Sequence, residues 1–304
     1  MKMTVGLAQI YPKLGNLQAN LEKHLAYVED AAAQGVDLLV FPEMSLTGYQ
    51  VMDMVPELAI RAQASDPVFA HLLNASHQLD IMVGFVREDE RNRFYIAAAY
   101  LSGGEVVHIH HKIYLPTYTL FDDGRYFDAG QHLRAFDTRF GRVGMLICED
   151  FWHMSAPYVL WMDGADILLL HSCSPSRGVS AGEQGRLTSS RWVELMNQSY
   201  ASSLTSYVVH CNRVGYEDGK SFWGGSSVAN PEGEFITHGL YFEEALIVQE
   251  IDLNQLHRTR SRVPLLRDER PALVQTELNR ILEERATPTR QPAKQGVISN
   301  GFRR

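Results

Sequence analysis

Gly141-Arg142-Val143-Gly144-Met145-Leu146-Ile147 is a short apolar run that ends on Cys148 and opens at once into Glu149, Asp150 and the group Phe151-Trp152-His153. A run of this length and character is a buried strand, which must sit in a sheet and be covered. It delivers Cys148 to its C-terminal end, where side chains and backbone N–H groups are presented to a ligand rather than to the core. Cys148 is therefore a candidate nucleophile. On its own, a cysteine there is more often an inert, buried small hydrophobe, so the case rests on what the other strand ends carry.

In chain order, Val5 to Ile10 is a first buried strand, and Asn16 caps a helix whose Leu17, Leu21, Leu25 and Val28 recur at helical spacing until Gly35 stops it. Asp37 to Phe41 is a second strand, so the chain begins a strand-helix-strand unit of the kind that builds sheets covered by helices. Asp66-Pro67 opens another helix before the strand Ile81 to Val86. Phe94 to Leu101 and Glu105 to His111 form a β-hairpin around Ser102-Gly103-Gly104. Ser-Gly-Gly also opens a pyrophosphate loop in ATP-dependent synthetases, but Glu105-Val106 stands where that loop needs Asp-Ser. A helix is expected over Ala156 to Gly164, a strand over Asp166 to His171 and a helix over Gly185 to Leu204. Strands follow at Ser206 to Cys211, Trp223 to Asn230, Glu234 to His238 and Ala245 to Ile251. With a last helix from Pro271 to Glu284, one domain is expected over residues 1–284. Residues 285–304 have five basic residues and no acid, and are expected to be a mobile tail or an arm on another subunit.

A net charge of −8 over 304 residues argues against nucleic acid or an anionic membrane surface as partner, since both need clustered positive charge. A small molecule is the expected partner. Cys148, Cys173 and Cys211 make neither an even framework nor a C-x-x-C spacing, which points to a reducing, cytoplasmic compartment with Cys173 and Cys211 structural. No segment reaches the roughly 18 apolar residues of a membrane span. His108 and His110 share one face of their strand while His111 faces the other way, and no acid or cysteine at ligand spacing accompanies them. Neither a metal nor a cofactor is expected.

Two other strands end on residues that give Cys148 chemical company: Glu43, after Phe41-Pro42, and Lys112, after His111. A free thiol is mostly protonated at neutral pH, so a nucleophilic cysteine needs a base or a cation. Glu43 could be that base. Lys112 and the N–H after Cys148 could hold the oxyanion formed when the thiolate attacks an amide carbonyl. Glu43 could then protonate departing ammonia and activate the water that cleaves the thioester.

Phe41-Pro42-Glu43, His111-Lys112 with Leu115-Pro116, and Ile147-Cys148-Glu149-Asp150, in that order, resemble the nitrilase or carbon–nitrogen hydrolase superfamily from about Met3 to Ile251. The resemblance implies an α/β fold, an α-β-β-α sandwich with a Glu-Lys-Cys triad, and a homo-oligomer. Leu46-Thr47-Gly48-Tyr49, the stretch Lys112 to Phe127 and Cys148-Glu149-Asp150-x-Trp152 look in addition like the glutaminase domain of glutamine-dependent NAD synthetases. That likeness implies Glu43 as base, Lys112 as oxyanion stabiliser and Cys148 as nucleophile, with Tyr118 and Glu149 as substrate contacts; Tyr49 is a further candidate contact. In the loop Ser172 to Gly178, Ser174 and Arg177 join them, the arginine able to hold a carboxylate bidentately.

Two departures from that family stand out. No synthetase domain with a Ser-Gly-Gly-x-Asp-Ser loop is present, so the chain is expected to stand alone. Asp123 falls where the superfamily often has a further glutamate; one methylene shorter, it is expected to reach the lysine less well. The expected activity is hydrolysis of a small ω-amide such as glutamine. The alternatives are a nitrile hydrolase and a subunit that supplies ammonia to a separate synthetase.

Overall fold

A computed structural model of the chain describes residues 1–178 and 187–286. The strands are β1 (Lys2–Gln9), β2 (Leu38–Val40), β3 (Asp80–Glu88), β4 (Phe94–Ser102), β5 (Glu105–His111), β6 (Phe136–Thr138), β7 (Gly141–Ile147), β8 (Ile167–Ser172), β9 (Tyr207–Asn212), β10 (Val214–Glu217), β11 (Lys220–Trp223), β12 (Ser227–Ala229), β13 (Phe235–His238) and β14 (Ala245–Asp252). The helices are α1 (Leu17–Ala33), α2 (Val55–Leu58), α3 (Pro67–Ala75), α4 (Asp123–Tyr126), α5 (Ser155–Met162), α6 (Thr188–Ser203), α7 (Asn254–Arg262), α8 (Leu265–Asp268) and α9 (Pro271–Ala286). Among the described residues the strands form two six-stranded sheets, ordered β14-β1-β2-β3-β4-β5 and β13-β12-β9-β8-β7-β6, and a β10-β11 hairpin. In each large sheet three neighbouring strands run parallel, β1-β2-β3 in one and β7-β8-β9 in the other.

Side-chain alternation decides how the sheets stack. Val5, Leu7, Leu38, Val40 and Met82 from the first sheet share one core with Val143, Met145, Ile147, Ile167, Leu169 and Val209 from the second. The residues between them in sequence face outward: Leu39, Ile81 and Val83 pack with Leu21 and Val28 of α1 and Phe69 and Leu72 of α3. On the second sheet, Leu146, Leu168 and Val208 pack with Leu160 of α5 and Ala201 of α6. Because successive strand side chains point to opposite faces, an uninterrupted apolar run is what a strand covered on both sides requires. The layers are thus helix, sheet, sheet, helix, the expected α-β-β-α sandwich.

Local signals placed the elements well. Asn16 caps α1 by accepting from the Ala19 N–H at 3.0 Å, and Asp66 caps α3 by accepting from Val68 and Phe69. The expected strand Trp223 to Asn230 is instead two strands, because Gly224 and Gly225 have φ of 73° and 62° and turn the chain between β11 and β12. The β10-β11 hairpin, closed at Asp218-Gly219, carries the turn signal that marks it. Helix α6 begins at Thr188; positions 185–186 of the expected helix, like tail residues 287–304, lie outside the described residues. The described chain divides into a unit Met1–Leu266 and a second unit from Arg267, in which Pro271–Ala286 is helical. No helix of the described residues is long and apolar enough to cross a membrane.

Buried histidines make this packing sensitive to acid. Burial pushes His24 down from 6.5 to about 4 and His171 and His210 to about 3, so each is held neutral in the fold. A depressed folded-state pKa means the unfolded chain binds the proton first. Their contribution is complete above pH 6.5 and is lost as pH falls towards about 4 for His24 and about 3 for His171 and His210, each worth on the order of a few kcal/mol. Lowering pH from 7.5 to 5 is expected to reduce the urea midpoint substantially with the slope unchanged. An unchanged midpoint would contradict neutral burial.

Candidate active site

The three triad candidates sit where strands end. Glu43 lies beyond β2, and its segment packs against β3 at Gly84, where an added Cβ would come within 2.5 Å of the Pro42 carbonyl oxygen and 2.6 Å of the Met44 nitrogen. Lys112 follows β5, held by the Gly130 N–H donating to its carbonyl at 2.8 Å. A Cβ at Gly130 would meet the His111 carbonyl oxygen at 2.3 Å, so glycine is what lets this crossing segment lie so close. Cys148 follows β7 and opens a short 3-10 turn, Cys148–Trp152, with φ of 44°. This left-handed conformation is uncommon for a side-chain-bearing residue and is a form of strain that recurs at functional sites.

The lysine is the hub. Its Nζ donates to Glu43 Oε1 at 2.8 Å and to Asp123 Oδ2 at 2.8 Å, and all three residues are buried. Asp123 therefore reaches the lysine as closely as Glu43 does, correcting the expectation drawn from its shorter side chain. The methylene is made up by the backbone, because Asp123 opens α4 and its N–H donates to the Pro116 carbonyl at 3.1 Å, folding the segment back over Lys112. The second Glu43 oxygen accepts from the Cys173 N–H at 2.7 Å, and the Cys173 thiol donates to the Glu43 carbonyl at 3.0 Å. Cys173, expected to be merely structural, thus seats the candidate base. Cys211 is a buried thiol in the core between the sheets.

Burial opposes charge on Lys112, but the Asp123 and Glu43 carboxylates outweigh it and raise its pKa well above the usual lysine value. Burial also raises Glu43, with Lys112 pulling the other way. The Cys148 thiol is raised well above its ordinary value by burial first and by Glu43 next, against the pull of Lys112. The resting site therefore holds a neutral thiol beside an ammonium and a carboxylate of increased basicity.

Cys148 opens onto a pocket of about 430 Å³ lined also by Tyr118, Glu149, Ser174, Arg177 and the aromatic residues Phe121, Trp152 and Trp192. The Tyr118 hydroxyl donates to Glu149 at 3.0 Å, and burial holds that carboxyl above its usual range. Arg177, also lining the pocket, donates to Thr119 Oγ1 at 3.0 Å, and Ser174 Oγ accepts from Trp223 Nε1 at 3.1 Å. Four of the five expected substrate contacts thus share one pocket with the thiol. Tyr49 does not. It is buried, donates its hydroxyl to Asp123 Oδ1 at 2.6 Å, and its ring centroid lies 5.9 Å from Lys112 Nζ. Tyr49 thus contacts the Lys112–Asp123 pair, in a segment whose Tyr49 and Gln50 N–H groups both donate to Glu217. Phe121 and Trp152 lie inside the stretches that the sequence singled out, whereas Trp192, on α6, carries no signal. His110 donates from Nε2 to Asp150 at 2.8 Å in the tautomer that satisfies the pair, and no metal-ligand cluster occurs among the described residues.

A family profile described as carbon-nitrogen hydrolase matches residues 4–261. The glutamine-dependent NAD(+) synthetase of Thermotoga maritima is 33% identical over 262 residues, covering 84% of this chain and 43% of that protein. The chain thus spans less than half the length of this relative. A probable nitrilase of Schizosaccharomyces pombe is 27% identical over 262 residues, covering 84% of this chain and 90% of the relative. The crystal structure of a carbon-nitrogen hydrolase from Helicobacter pylori superposes with a TM-score of 0.80 at 21% identity, covering 91% of this chain and 99% of the other.

Proposed function

The chain belongs to the carbon–nitrogen hydrolase family, and from that premise we propose that it hydrolyses the terminal amide of a small amino-acid-like substrate, glutamine foremost, through a thioester on Cys148. The observation that carries this reading is the buried Lys112 bridging Glu43 and Asp123 at 2.8 Å each, below a pocket that opens on the thiol. As Cys148 attacks the amide carbon, its proton passes to Glu43. The oxyanion is held by the Lys112 ammonium and the Glu149 N–H. Glu43 returns the proton to the departing nitrogen and ammonia leaves. Glu43 next takes a proton from water, whose oxygen attacks the thioester carbon, and the C–S bond breaks to release the acid and the thiol.

Glu149, with Tyr118 on its carboxyl, and Arg177 at the rim offer partners of opposite sign to the α-ammonium and α-carboxylate of an amino acid. Ammonia release is to be compared across glutamine, asparagine, aliphatic monoamides and matching nitriles, with wild type and Arg177→Met. Glutamine turnover is expected to dominate, with KM for glutamine raised about tenfold in the variant and KM for a monoamide unchanged. Turnover of nitriles in preference to amides would replace the reading with nitrile hydrolysis.

A second reading has the chain supply ammonia to a separate synthetase. It is favoured by the likeness to less than half of the Thermotoga maritima synthetase. Association with such a synthetase, and activity that depends on it, would distinguish this case. The expected assembly is a homo-oligomer, supported by Trp152, Met154, Val159, Trp192 and Leu195, large apolar residues exposed on the Cys148–Trp152 turn, just before and on α5, and on α6.

A further inference from the structure

We infer that Asp150 is a positioning residue that holds Lys112 and Cys148 in mutual register across the two sheets. The inference rests on the reading that these two side chains act on one substrate. Lys112 leaves β5, the edge strand of the first sheet, and Cys148 leaves β7 in the second. No hydrogen-bonded ladder joins those strands, so something else must fix the two exits relative to each other.

Asp150 is fully buried, and its carboxylate reaches both exits. Oδ1 accepts from the Ile113 N–H at 2.9 Å and the Tyr114 N–H at 3.0 Å, the two amides immediately after Lys112. Oδ2 accepts from the Ile147 N–H at 3.1 Å, the amide immediately before Cys148, and from His110 Nε2 at 2.8 Å, two residues before the lysine. The bond to Ile147 is local and closes the turn that holds Cys148 at φ of 44°. The bonds to Ile113 and Tyr114 span 37 and 36 residues and have no role in that turn. One carboxylate is therefore shared between the backbones that carry the two groups. Because its oxygens are filled by donors, it is not free to meet substrate; its effect passes through Lys112 and Cys148.

Asp150→Asn keeps the shape but sets an NH2 group against donors, so one exit is released. A displacement of about 1 Å at a reacting group can cost on the order of 10²-fold. The test measures alkylation of each cysteine by iodoacetamide at pH 7, read by peptide mass spectrometry, beside kcat and KM for the amide. In Asp150→Asn, Cys148 is expected to react about tenfold more slowly, because its thiolate loses the Lys112 ammonium, while buried Cys173 and Cys211 stay unlabelled. Turnover is expected to fall on the order of 10²-fold in kcat with KM within about threefold. Wild-type alkylation of Cys148 together with wild-type kcat would overturn the inference.

Labelling of all three cysteines would mean that the variant has unfolded. The decision then passes to His110→Phe, which removes one donor and leaves three: a smaller slowing in the same direction supports the inference, and none overturns it. Absence of amide turnover in the wild type would defeat the proposed activity, whereas the alkylation comparison would still decide the role of Asp150.

Discussion

Cys148→Ala is expected to abolish amide hydrolysis, lowering kcat by on the order of 10⁴-fold or more while leaving the fold intact. Removing a covalent nucleophile removes the path itself, and what remains is the residual rate that binding and oxyanion stabilisation provide. The thiol is the pocket-lining nucleophile among the three cysteines, since Cys173 and Cys211 are fully buried. Alanine inherits the left-handed backbone at this position, so the strain is carried over and thermal stability should change little. Ammonia release and a melting curve on one preparation separate loss of chemistry from loss of structure. Ammonia production within tenfold of wild type by the alanine variant would remove Cys148 from the mechanism.

Lys112→Met is expected to lose both activity and stability. The lysine is 1% exposed and bridges two buried carboxylates at 2.8 Å each, so its removal strands Glu43 and Asp123 together in the interior. Breaking a buried ion pair from one side costs about 3–5 kcal/mol. The catalytic loss should be on the order of 10³-fold, the scale of losing a principal oxyanion partner. The pH dependence identifies the cause. Burial already raises Glu43 against the pull of Lys112, so without the ammonium it favours its protonated form further; a raised folded-state pKa gives stability that is present at low pH and lost as pH rises. Stability of Lys112→Met should thus improve, relative to wild type, as pH falls from 8 towards 5. Adding Asp123→Asn should recover part of the stability and none of the activity. Recovery of activity with stability would show that the lysine serves packing alone.

The triad candidates were legible because each lies just beyond a strand, apolar before Glu43 and Cys148 and part of a hairpin before Lys112, and a strand end is a place that sequence pattern can locate. Lys112 illustrates the limit. Its position at the end of β5 could be read, but not the two carboxylates on it, since Glu43 and Asp123 arrive from different segments through the close approaches at Gly84 and through α4. The Asp123 contact was underestimated because side-chain length was weighed without backbone position. Tyr49 was expected to contact substrate, and motif membership could not reveal that its hydroxyl is bonded to Asp123 beside the lysine. Trp192 lies on α6, where a tryptophan at helical spacing is indistinguishable from core or surface until the sheets have been stacked. The strand expected at Trp223 to Asn230 failed for a local reason, two adjacent glycines of positive φ, that a run of mixed polarity conceals.

The most direct measurement of the central claim is intact-protein mass spectrometry on wild type quenched in acid during turnover of glutamine, with peptide mapping of any adduct. The account predicts one adduct whose mass is that of the substrate less ammonia, located on Cys148, appearing with the first equivalent of ammonia and decaying when substrate is spent. Ammonia released in steady state with no adduct at any cysteine, and undiminished by alkylation of Cys148, would contradict it.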